Sequence, residues 1–226
     1  MTALFPRVLR LAALTFLTLL LAVPAVAQSP AAGAADWDVI VVGSEPEAIA
    51  AAVTAAEEGA RTLLLSEDGR VGGLFVLGQL NVLDLRTQPV NLQQGLFDRW
   101  WRLVGRGHSF DVPRAQAAFE RLLREADVTV RLGMAPLEPV LEGNRVTAVR
   151  SGEELFSARQ FIDGTADMDF GAAAGAPFPV GFESLGLAER MVDTLVFRID
   201  GVDWRALQRG IRERGRNYAI VDDRVA

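Results

Sequence analysis

Apolar positions along this chain fall into short unbroken runs, helical faces and alternating stretches. The run that organises the rest is Val39-Ile40-Val41-Val42. Four β-branched residues without a polar break are expected of a parallel strand covered on both faces. Gly43 ends the run. From Pro46 to Glu58 small residues dominate, among them Ala48, Ala51, Ala52 and Ala55, so a helix can lie close against a sheet. Gly59 suits the C-terminal cap of that helix, and Arg61 to Leu65 predicts a second buried strand. A strand, a glycine turn, a helix and a strand within Trp37 to Gly73 form the opening of a Rossmann-type nucleotide-binding domain.

Further on, Leu74 to Leu85 is apolar with Gly78 inside and predicts buried loop and strand. Leu92, Leu96, Trp100 and Leu103 recur at helical spacing, so Asn91 to Val104 predicts an amphipathic helix. Pro113 to Glu125 predicts another, started by Asp111 or Pro113. Val128 to Leu132, Leu137 to Leu141 and Arg145 to Arg150 predict strands, the last two joined through Glu142-Gly143-Asn144. A strand over Thr194 to Ile199, a helix over Asp203 to Arg214 and a strand from Tyr218 complete the pattern. The class is α/β.

Two blocks carry a family resemblance. The first holds the turn Gly43-Ser44-Glu45-Pro46-Glu47-Ala48, the strand end Ser66-Glu67 and the pair Gly72-Gly73. The second runs Phe161-Ile162-Asp163-Gly164-Thr165-Ala166-Asp167-Met168-Asp169, followed by small residues through Gly175. In this order they resemble the FAD-dependent oxidoreductases with a glutathione-reductase-like flavin fold, across most of residues 37–200. In that family the turn reads G-x-G-P-x-G and the later block I-D-A-T-G-D-x-D. Gly43, Pro46, Gly72, Gly73, Asp163, Thr165, Asp167, Asp169 and Gly175 match. The middle glycine is Glu45, the third is Ala48, and the later close-approach glycine is Ala166. Ser66 stands where the family has its ribose-binding acid, with Glu67 one residue on.

The resemblance implies a Rossmann-like parallel sheet with helices on both faces, plus an inserted helical and antiparallel β layer. It implies FAD as the cofactor. The cofactor-binding positions would be Gly43, Ser44, Glu45, Pro46, Glu47, Ala48, Ser66, Glu67, Gly72, Gly73, Asp163, Thr165, Ala166 and Asp167. The layout is an FAD-binding unit over 37–85, an inserted helical and hairpin region over 86–155, a return to the FAD-binding domain over 156–180, and the start of a truncated substrate-side layer over 181–226. Family members continue further, so the chain is expected to be a fragment or a truncated form. Gln79 and Asn81 are candidate flavin neighbours or core residues. Trp100-Trp101 could stack on a flat ligand or fill the core. No side chain is assigned as a catalytic acid or base, and His108 would act so only inside a pocket.

Two readings of the turn stay open. The helix N-terminus would receive the cofactor's diphosphate, and Glu45 would set a negative charge beside it. At about 4 Å such a pair repels by roughly 1 kcal/mol in water and about 4 kcal/mol at an effective dielectric of 20. Alternatively, Ser44-x-x-Glu47 has the spacing of a capping box, with Pro46 near the first helical position, and such a helix needs no phosphate. The functional expectation is therefore an exported FAD-dependent oxidoreductase acting by flavin-mediated hydride or electron transfer. The alternative is a non-catalytic exported protein that keeps the flavoprotein fold without FAD. NAD binding by the same unit is a weaker third option, because Ser66 replaces the ribose acid.

Composition narrows the setting. Arg7 and Arg10, the apolar stretch Leu11 to Val23 and Ala25-Val26-Ala27 form a cleavable secretion signal over 1–27, and 28–36 is a linker. A membrane span would need about 20 apolar residues, and Pro24 breaks this one. The formal charge is −6; the leader carries two arginines and no acids, so removing it leaves −6 − 2 = −8. That balance argues against nucleic acid as a partner and leaves a small-molecule substrate, with no stable membrane anchor after cleavage. There is no cysteine, which excludes thiolate and Cys-linked flavin chemistry. One histidine excludes a His-cluster metal site.

Overall fold

A computed structural model of the chain describes residues 35–85, 93–190, 195–196 and 199–213. The leader, Asn91 and Leu92 of the expected helix, Thr194, Phe197 and Arg198 of the strand expected over Thr194 to Ile199, and the strand expected at Tyr218 lie outside them; residues 93–95 precede the helix, and Leu195, Val196 and Ile199 are in no strand. In chain order the elements are β1 (Trp37–Val42), α1 (Pro46–Glu57), β2 (Thr62–Leu65), α2 (Gly73–Val76), α3 (Leu96–Val104), β3 (Gly105–Arg106), β4 (Ser109–Phe110), α4 (Val112–Glu125), β5 (Thr129–Arg131), β6 (Leu137–Glu142), β7 (Arg145–Ser151), β8 (Glu154–Asp163), α5 (Asp169–Ala173) and α6 (Trp204–Glu213).

One mixed sheet runs in the order β5-β2-β1-β8-β7-β6. β5, β2, β1 and β8 are parallel neighbours, while β7 and β6 continue the sheet antiparallel. β8 joins the two parts. Its first residues, Glu154 to Ser157, pair with β7, and Ala158 to Asp163 pair with β1. The apolar run at Phe161 marks only the second half. The first half borders an antiparallel hairpin with a solvent-facing side, and its polar residues hide it from a search for unbroken runs.

Both faces of the parallel strands are covered. Val41 and Leu64 pack against Ala48, Ile49, Ala52 and Val53 of α1 and against α3 and α4. Ile40, Val42, Leu63 and Leu65 point the other way, onto Leu137, Val149, Ala158 and Phe170 of α5. A helical layer thus covers one face; the hairpin layer and α5 cover the other.

The helical layer closes on aromatic residues. Trp100 is buried, stacks on Phe119 at 4.8 Å and meets Phe110 edge-on at 5.0 Å. Its Nε1–H donates to the Ala115 carbonyl at 3.3 Å, so Trp100 belongs to the core. Asp111 caps α4, its Oδ1 accepting from the Arg114 amide at 2.9 Å. The glycine-rich loop around His108 is a small hairpin, β3–β4, and exposed His108 sits 3.3 Å from the Leu83 carbonyl. Asn81 is tied to that hairpin, accepting from the Phe110 amide at 3.1 Å. Among the described residues no helix is long and apolar enough to cross a membrane.

Trp100→Ala is expected to cost about 3–5 kcal/mol, the range for emptying a large buried aromatic site. The Ala115 carbonyl also loses its partner. Trp101→Ala, at a partly exposed ring, should cost clearly less. Urea unfolding of the two variants measures the difference.

Candidate functional site

β1, β2 and β8 end side by side at Val42, Leu65 and Asp163. In open α/β sheets ligands bind beyond the carboxyl ends of the strands, and a cavity of about 410 Å³ lies there. The β1 turn contributes Gly43, Ser44 and Glu45; the β2 end contributes Ser66, Glu67 and Asp68; the β8 end contributes Thr165 and Ala166. Asp169, Phe170, Leu137 and Val42 complete the wall.

Close backbone contact shapes the mouth. Gly43 has φ +122°, and a Cβ there would run into the Gly164 carbonyl. Gly164 faces Ala48, whose methyl occupies the space a second Cβ would need. The Gly43 amide donates to Leu65 at 2.8 Å and the Gly164 amide to Val42 at 2.7 Å, which cinches the three strand ends together. The family's third turn glycine is Ala48 here. Its methyl fits because the opposing residue is Gly164.

Asp163 shapes the loop and does not line the cavity. Its carboxylate accepts from the Thr165 amide at 2.9 Å, the Thr165 hydroxyl at 2.6 Å and the Gly171 amide at 2.6 Å. Thr165 Oγ1 in turn accepts from the Asp169 amide at 2.8 Å. β8 is thereby bound to the start of α5. Asp167 stands outside the cavity wall, as do Pro46, Glu47 and Ala48 in α1.

The capping box expected at Ser44-x-x-Glu47 does not form. Ser44 is buried and its hydroxyl donates to Asp68 Oδ2 at 2.6 Å. Glu45 holds the N-cap position, and its side chain makes no cap hydrogen bond to α1. It reaches across instead, Oε2 accepting from the Leu74 amide of α2 at 2.8 Å. Its carboxyl fills the space where a Cβ on Gly73 would stand. Gly72 and Gly73, at φ +104° and +36°, therefore serve the Glu45 contact and the turn into α2, and neither lines the cavity. Gln79, at φ +54°, stands outside the wall too.

Carboxylates dominate the electrostatics. Glu67 lines the cavity while its Oε1 accepts from the Leu137 amide at 2.8 Å, anchoring β6. Burial raises the Glu45 pKa above the ordinary glutamate value; the Leu74 amide opposes this, and neighbouring Glu47, Asp68 and Asp167 add to it. Glu45, Glu67, Asp68 and Asp169 stand in the wall, and among the described residues that line it there is no arginine, lysine or histidine. Such a wall accepts hydrogen bonds from hydroxyl groups and resists anions.

Asp68 lines the wall without being among the expected cofactor-binding positions, as do Val42, Leu137, Asp169 and Phe170. A gap-free alignment assigns the acid position to Ser66. Ser66 is buried, and its Oγ accepts from the Asp68 amide at 3.1 Å, turning the chain so that Asp68 reaches the wall.

The sequence profile of the family described as FAD dependent oxidoreductase matches residues 38–225. No curated protein matches the chain. Among solved structures, THI4 from Thermovibrio ammonificans is similar with a TM-score of 0.48 at 15% identity, over 74% of this chain and 67% of that one. The GidA-related protein from Thermus thermophilus gives 0.42 at 20% identity, over 58% and 54%. The bacillithiol disulfide reductase Bdr from Staphylococcus aureus gives 0.39 at 11%, over 57% and 38%. The chain thus spans about two thirds of the first, half of the second and less of the third.

Asp163→Ala strands the Thr165 and Gly171 amides. With hydrogen bonds to a charged group worth about 1.5–3 kcal/mol each, and partial access of water, the expected loss is about 2–4 kcal/mol. Asp163→Asn keeps an acceptor and should lose less. Hydrogen exchange at the Gly171 amide should rise in the alanine variant.

Proposed function

Because the chain belongs to the FAD-dependent oxidoreductase family, matched over residues 38–225, we propose that it binds FAD in the cavity beyond β1, β2 and β8 and uses it to oxidise or reduce a small-molecule substrate. The observation that carries this reading is the meeting, in one cavity, of a glycine-closed turn, a helix start bearing no side-chain cap and an acid at the end of β2. Asp68 would accept from the ribose hydroxyls, as the acid at this place does in dinucleotide sites. Gly43, Ser44 and Glu45, which line the cavity just ahead of α1, would face the diphosphate with the positive dipole end of the helix behind them. Thr165 and Ala166 would bound the cofactor from the β8 side. Bound FAD supplies the hydride or electron transfer. The protein's own residues orient it and keep the strand ends in register.

Export belongs to the same proposal. It is supported by the basic start, the apolar stretch and Ala25-Val26-Ala27. The acidic balance favours neither nucleic acid nor an anionic membrane surface as partner. A second reading, an exported binding module that has given up the flavin, draws on the four acids in the wall with no basic residue among them.

Titration of the purified protein with FAD separates the two. Saturable quenching of flavin fluorescence is expected, and Gly43→Asp should abolish it. Asp68→Ala should weaken FAD and ADP alike by about tenfold or more, the effect of losing roughly 1.4 kcal/mol. A protein that takes up no FAD at any concentration would overturn the cofactor reading in favour of the module.

A further inference from the structure

Glu45 stands where the family's turn has a glycine, yet it is not a loose surface side chain. The residue links two helix starts: its backbone holds the N-cap position of α1, and its Oε2 accepts from the Leu74 amide in the first turn of α2 at 2.8 Å. The positive-φ Gly73 leaves the space that the carboxyl fills. Glu45 also lines the cavity in which the diphosphate would lie. We propose that Glu45 couples dinucleotide binding to proton uptake: the diphosphate settles beside the α1 start with the Glu45 carboxyl neutral, one proton passing from solvent to its free oxygen as the ligand enters. This inference rests on the cofactor reading above.

The surroundings supply the bias. Among the described residues, the ionisable groups that act on Glu45 are all acidic: Glu47 from α1, Asp68 from the loop after β2 and Asp167 from the loop after β8. α2 contributes a backbone amide and no charge. Half-buried among these groups, the carboxyl already holds its proton to a higher pH than a free glutamate does. An arriving diphosphate adds further negative charge and moves the carboxyl the same way. By linkage, whatever ligand binding does to proton affinity, protons do to ligand affinity. Affinity therefore rises as pH falls through the range between the free and the ligand-bound pKa. The Leu74 amide need not be released, because the carbonyl oxygen of a neutral carboxyl still accepts from it.

The test compares the protein with Glu45→Gln, which keeps an acceptor for Leu74 and removes only the charge. FAD and ADP are titrated calorimetrically between about pH 5 and pH 8, in buffers of different ionisation heat. The wild type should lose up to tenfold in affinity per pH unit across the titration, with proton uptake approaching one. Glu45→Gln should bind more tightly at the upper end, with a flatter profile and little uptake. Matching profiles in two proteins that both bind would overturn the coupling alone. Absence of binding in both would overturn the cofactor reading, and the coupling with it.

Urea unfolding without ligand gives an independent readout. A carboxyl whose folded pKa is raised contributes stability that is complete below the unfolded value and is lost as pH rises through the folded value. The wild type should therefore lose stability relative to Glu45→Gln as pH rises through that window, and parallel curves would overturn the coupling.

Discussion

The site depends on three backbones in contact at Gly43, Gly164 and Ala48. A side chain added at either glycine meets atoms that cannot move cheaply: the Gly164 carbonyl in one case, the Ala48 methyl and its backbone in the other. The α1 surface toward the sheet is made of Ala48, Ile49, Ala52 and Val53, so the helix starts where the strands stop. Separating these backbones would displace everything arranged on them. The Ser44–Asp68 hydrogen bond spans from the β1 turn to the loop after β2, and the Asp163 network begins one residue before Gly164. The cavity is thus a consequence of packing more than of any one lining side chain.

The acids around it are not equivalent. Asp163 holds the loop into α5, Glu67 holds β6 through Leu137, and Asp68 is fixed by Ser44. Each has a donor aimed at it, and such bonds contribute about 1.5–3 kcal/mol. Repulsion between two carboxylates about 4 Å apart is of similar size, roughly 4 kcal/mol at an effective dielectric of 20. Architecture therefore offsets much of the crowding without removing it. The ion pairs Arg99–Glu57, Arg121–Glu125, Arg131–Glu154 and Arg159–Asp38 involve no residue of the cavity wall. Exposed pairs of this kind contribute at most about 1 kcal/mol, and their arginines do not neutralise the wall. Glu45, with one amide for three acidic neighbours, is where the imbalance is felt.

What could be read from sequence follows from the range of the signal. β1 and β2 announce themselves as unbroken apolar runs because both their faces are covered, and the β6–β7 hairpin is marked by Gly143 at φ +63°. The first half of β8 carries no such run. Ser44 and Glu47 have the right spacing for a capping box, but spacing does not say which acceptor wins. Asp68, far off in the chain, takes the serine. The exchange of the family glycine for Ala48 looks damaging in isolation, and the compensating Gly164 lies on another strand. Asp68 itself was hidden because an alignment without gaps cannot register the turn at Ser66.

The capping result bears on the choice between a site that holds a cofactor and a relic. A suitable N-cap side chain stabilises a helix by about 1 kcal/mol, and Glu45, which holds that position, gives α1 none. A fold with no ligand to hold gains from capping its own helix and from letting side chains fill the void. Here Ser44 is turned onto Asp68, the start of α1 has no side-chain cap, and about 410 Å³ stays open in front of it. Glu45 is likewise seated on Leu74 and accommodated by Gly73. Both of those bonds are stabilising in themselves; what stability alone does not select is the uncapped start of α1 and the open volume in front of it. A diphosphate at the helix start, as proposed above, would account for those two together.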